Sequence, residues 1–167
     1  MDSEYFDVID KSGNIVGKAT REECHGNRSL AHRVVHVLVF NSRGDLFLQK
    51  RSKDKDIQPG KWDTSIGGHL NLSETFDQAV RREMKEELDI SAPVRHIYDY
   101  WMCSDIETEY VRTYLCTYDG AVNFDTNEIE DGRFWSREEI EEKIGTGIFT
   151  PNFEQEYQKY LKWLHSQ

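Results

Sequence analysis

The run Val34–Phe40 is nearly all apolar and rich in β-branched residues. It reads as a strand buried on both faces, so the sheet that contains it must be covered on each side. The flanking segments supply both the sheet and its covers. Residues 5–10 and 14–19 alternate apolar and polar around Ser12-Gly13-Asn14, the pattern of a β-hairpin. Thr20-Arg21-Glu22-Glu23 has the form of a capping box, which opens a short helical turn. Asn41–Asp45 is a turn, and Leu46–Gln49 returns as the next strand. Charged residues 50–56 lead into a loop at Pro59-Gly60. Trp62–Ile66 reads as a short strand that Gly67-Gly68 breaks, and Ser73 as the N-cap of a helix over about 74–88. Strands are expected near 94–103 and 109–118, then a polar loop at 123–132 and a short strand at 133–135. Ser136 opens a helix to about 144, and Pro151 precedes a last helix over 152–164, with Phe153, Tyr157, Tyr160, Leu161 and Leu164 at helical spacing. This order predicts a mixed α/β (α+β) sheet with helices packed on it, in one domain spanning 1–167.

The helix at 74–88 breaks its own pattern. Phe76, Val80, Met84 and Leu88 form its apolar side, yet Glu83 and Glu87 lie on that same side, within about 40° of each other on the wheel. Glu86 flanks them. Like charges at this spacing repel, and burying an unpaired carboxylate costs several kcal/mol or more. Arg82 offsets only part of the charge. A hard divalent cation, which prefers oxygen ligands, would offset the rest, and Mg²⁺ is commonly held by one or two carboxylates plus phosphate oxygens. The net charge of −10 disfavours generic nucleic-acid binding and leaves room for a small anionic ligand held through metal or a local cationic cluster. A 12 % aromatic content argues against disorder. With no membrane-length apolar run and no leader-like N-terminus, the expected location is the cytoplasm. Cys24, Cys103 and Cys116 are odd in number and form no CxxC pair, so they are expected to be reduced, partly buried thiols.

Gly68, Glu74 and Arg82-Glu83-Met84-Lys85-Glu86-Glu87, with Ile90, follow the pattern G-x₅-E-x₇-R-E-U-x-E-E-x-G-U over residues 68–90. By this motif the chain resembles the Nudix family. A chance match is on the order of 10⁻⁷ per starting position. One position departs: Asp89 stands where the family has glycine, for a small expected loss of stability and none of chemistry. The resemblance implies the Nudix fold, an α/β/α sandwich with a mixed sheet, here preceded by the N-terminal hairpin. It also implies metal-dependent hydrolysis of a diphosphate linkage in a nucleoside diphosphate derivative. By position, Glu83, Glu87 and Glu86, with Gly67, are expected at the metal (Mg²⁺ or Mn²⁺). Glu86 would also orient water, Arg82 would hold the glutamates, and Glu74 would support the helix. Gly68, Arg51 and Lys55 are expected on the substrate side.

The stretch His32 to Ile90, with Gln49-Lys50-Arg51-Ser52, Pro59-Gly60-Lys61-Trp62 and Gly68-His69, is similar to the branch containing isopentenyl-diphosphate isomerase. That likeness implies a second metal site at His25, His32, His69, Glu107 and Glu109, where imidazole favours Zn²⁺ or Mn²⁺. It argues against isomerase activity, because the isomerase cysteine falls at Gly67 here. A hydrolase is therefore expected. The alternatives are a nucleotide-binding module that does not cleave, and an isomerase-like enzyme. The N-terminal hairpin is a candidate surface for a homodimer.

Overall fold

The computed structural model describes residues 4–55 and 57–167; residue 56, in the charged loop, and the first three residues of the acidic N-terminus lie outside it. The expected hairpin is β1 (Tyr5–Ile9) and β2 (Ile15–Thr20), paired antiparallel. Its turn closes because Asp10 accepts from the backbone of Ser12 and Asn14, and because Gly13 takes a φ of 85°. Thr20 and Glu23 then form a reciprocal capping box on α1 (Arg21–Cys24).

The axis of the main sheet is β3 (His32–Phe40). Further along the chain come β4 (Leu46–Arg51), β5 (Trp62–Asp63), β6 (Ile66–His69), α2 (Phe76–Leu88), β7 (Arg95–Cys103), β8 (Thr108–Thr117), β9 (Ile129–Trp135), α3 (Arg137–Lys143) and α4 (Pro151–His165). Strand β8 runs parallel to β3 along its whole length, from His32↔Glu109 to Phe40↔Thr117. The other edge of β3 is shared. β6 pairs with it over Val34–Val37, whereas β4 touches it only at Phe40↔Leu46, then diverges to pair with β9 and β5.

Alternation along β3 sets the layers. Val35, Val37 and Val39 pack with Ala79, Val80, Met84 and Leu88 of α2 on one face. Leu38 packs on the other face with Leu46, Leu48, Trp135 and Ile140, and with Phe153 and Tyr157 of α4. The two-sided burial read from Val34–Phe40 is thus an α/β/α arrangement, each buried aliphatic side chain contributing roughly 1.5–3 kcal/mol.

Four boundaries differ from the sequence reading. Gly67-Gly68 does not break a strand; both glycines lie inside β6, which begins at Ile66 after a separate short β5. The α2 N-cap is Thr75, not Ser73: Thr75 accepts from Gln78 N–H and Gln78 bonds back, a capping box, while Ser73 sits at φ 63° before it. Strand β9 starts at Ile129 because pairing with β4 recruits residues that read as polar loop. Pro151 is the first residue of α4, where its missing N–H costs nothing, and Thr150 caps it.

Asp89 ends α2 in the left-handed region at φ 53°, and its carboxylate meets Lys85 at 2.5 Å. The strain of a side chain there is modest for Asp. Asp89→Gly is expected to raise the unfolding free energy by up to about 1 kcal/mol, read as a higher urea midpoint at unchanged slope.

Candidate active site

Arg82 organises the carboxylate helix. Its guanidinium donates to both Glu74 oxygens at 2.8 Å, to Glu83 at 2.6 Å, to Glu86 at 3.1 Å and to the His69 carbonyl at 3.0 Å. The fork thereby ties α2 to the segment before it and to β6. Contact with Arg82 holds the Glu74 carboxyl below its ordinary range. Burial raises Glu83 despite the same partner. Glu87 has no cation beside it. Burial, followed by the charge of Glu83, pushes it up to about 8, although Gln49 donates to it at 3.3 Å and the Gly67 N–H at 3.1 Å. Glu86 is different: its side chain is 59 % exposed and reaches only Arg82.

The glycines explain how the acids reach the sheet. A Cβ on Gly68 would fall 2.2 Å from Glu83 Cδ, inside any tolerable contact. The bare backbone of β6 is therefore the cradle in which Glu83 lies and from which Gly67 reaches Glu87. Two partly buried carboxylates, Glu83 and Glu87, with a guanidinium on Glu83 alone are a donor set of oxygens short of positive charge. That fits a hard divalent cation.

A second cluster forms across four elements. His25 caps α1, His32 and His69 face each other from β3 and β6, Glu109 lies on β8, and Glu107 lies just before it. His25 Nε2 is 3.4 Å from His69 Nε2 and 3.3 Å from Glu107; His32 and His69 Nε2 are each 3.3 Å from Glu109. Ligand atoms of His25, His32, His69 and Glu107 all lie within 4.8 Å of one another. Phe6 of β1 stacks on His32 and His69, so the hairpin forms the back wall. His32 is fully buried, yet neither of its ring nitrogens, nor Glu107 Oε2, has a hydrogen-bond partner. Such orphaned buried atoms call for an explanation, and nitrogen and oxygen donors converging on one point suit a cation. Burial would raise Glu109, but His32 and His69 outweigh it and hold the carboxyl far below its ordinary range. Burial, then the neighbouring His69, lowers His25.

Both groups open onto one cavity of about 570 Å³, lined among others by Glu87, Gly67, Gly68, His25, His69, Glu107 and Glu109. Arg51 also lines it, held by the Ile57 carbonyl at 3.0 Å and by Asp63 at 3.6 Å. Lys55 is not among the described lining residues; it reaches Glu128 at 3.7 Å. Of the thiols, Cys24 and Cys116 are buried and Cys103 is exposed, so Cys103 departs from the expected partial burial. None is among the described residues of the cavity wall. Among the polar lining residues to which the sequence reading gave no role are Gln49, Asp63 and His36. His36 was hidden inside the apolar run of β3, and its period-2 position on the cavity face was the available signal.

An α/β/α sandwich with a glutamate-bearing helix docked on a glycine strand is the build of a Nudix-type hydrolase. Residues 30–164 match the NUDIX domain, and the chain belongs to that family. It is 33 % identical over 164 residues to an uncharacterized Nudix hydrolase of Listeria monocytogenes, covering 90 % of each. It is 29 % identical over 133 residues to an isopentenyl-diphosphate Delta-isomerase of Photorhabdus laumondii, covering 77 % of this chain and 75 % of that one. A crystal structure from Deinococcus radiodurans superposes with a TM-score of 0.80 at 23 % identity, covering 93 % of this chain and 98 % of the other. The fold expectation is thereby met. No helix among the described residues is long and apolar enough to cross a membrane.

Two outcomes follow from this geometry. Gly68→Ala must displace Glu83, so it is expected to lower both stability and affinity for divalent cation, measured by thermal melting and by titration with Mn²⁺. Glu87 bears on pH. Its folded pKa of about 8 stands above the ordinary 4.5, so Glu87's own contribution to the stability of the metal-free protein is complete below that lower value and is lost as pH rises toward and through about 8. In EDTA, Glu87→Gln should flatten the fall in urea midpoint between pH 5 and pH 8; an unchanged fall would show that Glu87 is not the group responsible.

Proposed function

We propose that the chain hydrolyses a diphosphate linkage, in a nucleoside diphosphate derivative, by attack of water on phosphorus. The observation that carries the reading is Glu87: a carboxylate turned into the cavity, partly buried near Glu83, with no cation among the described residues to balance it. Glu83, Glu87 and Glu86, with the backbone of Gly67, are the residues that would hold Mg²⁺ or Mn²⁺. A divalent cation held there supplies Lewis-acid polarisation of the phosphoryl oxygens and countercharge.

The remaining roles belong to the chain. Arg82 fixes the direction of Glu83 and Glu86 through the contacts already described, and keeps its charge throughout. Glu86, exposed and held at one oxygen, is the carboxylate free to orient the attacking water. The bare backbone of Gly67 and Gly68 admits a phosphate close to β6. Arg51 is the guanidinium on the cavity wall for a phosphate oxygen, and Lys55 would join it only by leaving Glu128. The orphaned atoms of His32 and Glu107 support a second cation site at His25, His32, His69, Glu107 and Glu109, with imidazole favouring Zn²⁺ or Mn²⁺ over Mg²⁺.

The reading is tested by product release from a panel of nucleotide, nucleotide-sugar and isoprenoid diphosphates, with Mg²⁺ or Mn²⁺ and with chelator. Cleavage of at least one member, abolished by chelator, is expected. Thermal shifts without cleavage across the panel would instead mark a binding module. On any substrate that is cleaved, Glu87→Gln should lower kcat by at least about 10²-fold, since a cation ligand is lost outright. Full activity in that variant would remove Glu87 from the site.

A further inference from the structure

We propose that His36 is a phosphate-contacting residue of this cavity, its ring anchored by Glu156 so that Nε2 meets an oxygen of the bound diphosphate; this rests on the diphosphate reading above. Glu156 belongs to α4 and is wholly buried. Its Oε1 accepts from His36 Nδ1 at 2.7 Å and from the Tyr100 hydroxyl at 3.1 Å. Tyr98 donates to Oε2, and the Thr113 hydroxyl lies 3.2 and 3.3 Å from the two oxygens. The bonds converge on Glu156 and, from the Tyr100 hydroxyl at 3.4 Å, on His36 Nδ1, so they fix the ring without competing for its far edge.

That far edge faces the cavity. The His36 side chain is 11 % exposed and lines the cavity wall, and its Nε2 makes no hydrogen bond among the described residues. Gly67 is its partner across β3 and β6. A Cβ there would stand 3.3 Å from His36 Cδ2 and 3.6 Å from Nε2. The missing side chain is therefore what leaves the ring uncovered. Gly67 also donates its N–H to Glu87, so one residue touches both His36 and the carboxylate expected to hold the cation. A diphosphate bound at Glu87 lies within one residue's width of the imidazole.

A packing role alone does not account for the arrangement. Two hydrophobic residues would join β3 to α4 at least as well as a buried His–Glu pair with three hydroxyls. The pair puts an oriented nitrogen in a cavity otherwise rich in carboxylates, where an anionic ligand needs donors.

Binding of pyrophosphate in Mg²⁺ to the full chain, followed by calorimetry, tests this. His36→Gln is expected to weaken binding about 10-fold or more at unchanged Tm. Gly67→Ala should weaken it while leaving the His36–Glu156 pair intact. Glu156→Gln should weaken it in the wild-type background but not in the His36→Gln background, a dependence that a merely structural role would not produce. In the unaltered protein with labelled histidine, pyrophosphate should move the His36 Nε2 resonance, a readout independent of any variant's folding. A still His36 signal while the Gly67 amide moves, or wild-type affinity in His36→Gln, overturns the role of His36 and leaves the diphosphate site standing. No binding of pyrophosphate by the wild type overturns both.

Discussion

The guanidinium of Arg82 is the interaction on which the rest of the site depends. Three carboxylates and a β6 carbonyl meet on one fork, across an interval of the chain that runs from His69 to Glu86. Without it, Glu83 would be a half-buried acid without its guanidinium partner, and α2 would lose its charged tie to the segment before it. The fork nevertheless reaches Glu86 and makes no bond to Glu87 among the described residues. The helix is thus neutralised along most of its inner side and left acidic at the cavity.

Pairing does the other half of the positioning. Parallel register sets His32 beside Glu109 and His36 beside Thr113, and antiparallel register sets His36 beside Gly67. Because side chains alternate, Val35, Val37 and Val39 face α2, while His32, Val34 and His36 lie on the opposite face, where Val34 and His36 line the cavity. A slip by one residue would bury imidazoles under α2 and turn Val35 and Val37 to the ligand. The apolar packing that holds the register therefore also holds the donors.

Much of this was legible in the chain. The acids on the apolar side of α2 could be read from helical spacing, and the two-sided burial of β3 from its composition. The box positions and the histidine cluster came from family likeness. What was illegible has physical causes. Gly67-Gly68 reads locally as a break, and only pairing with β3 makes it a strand. Lys55 and Arg51 are four residues apart in a polar loop, and nothing in their spacing says that one turns to the cavity and the other to Glu128. His36 was overlooked inside the apolar run Val34–Phe40, and Glu156 among the other charged and polar residues of α4, such as Glu154, Gln155 and Lys159. Glu156 sits among Phe153, Tyr157 and Tyr160, the same contradiction that made Glu83 and Glu87 conspicuous, and it could have been weighed in the same way.

The absent side chain at Gly67 also bears on how such cavities change over evolutionary time. Glycine and cysteine codons can differ by a single base, so a thiol at this wall position is one substitution away from the present sequence. That thiol would stand over His36 and take its place as the group nearest the ligand. The backbone of β6, Glu87 behind it and the histidine cluster beside it need not move for this to happen. A wall built this way can change the atom it shows to the cavity while its scaffold stays in place.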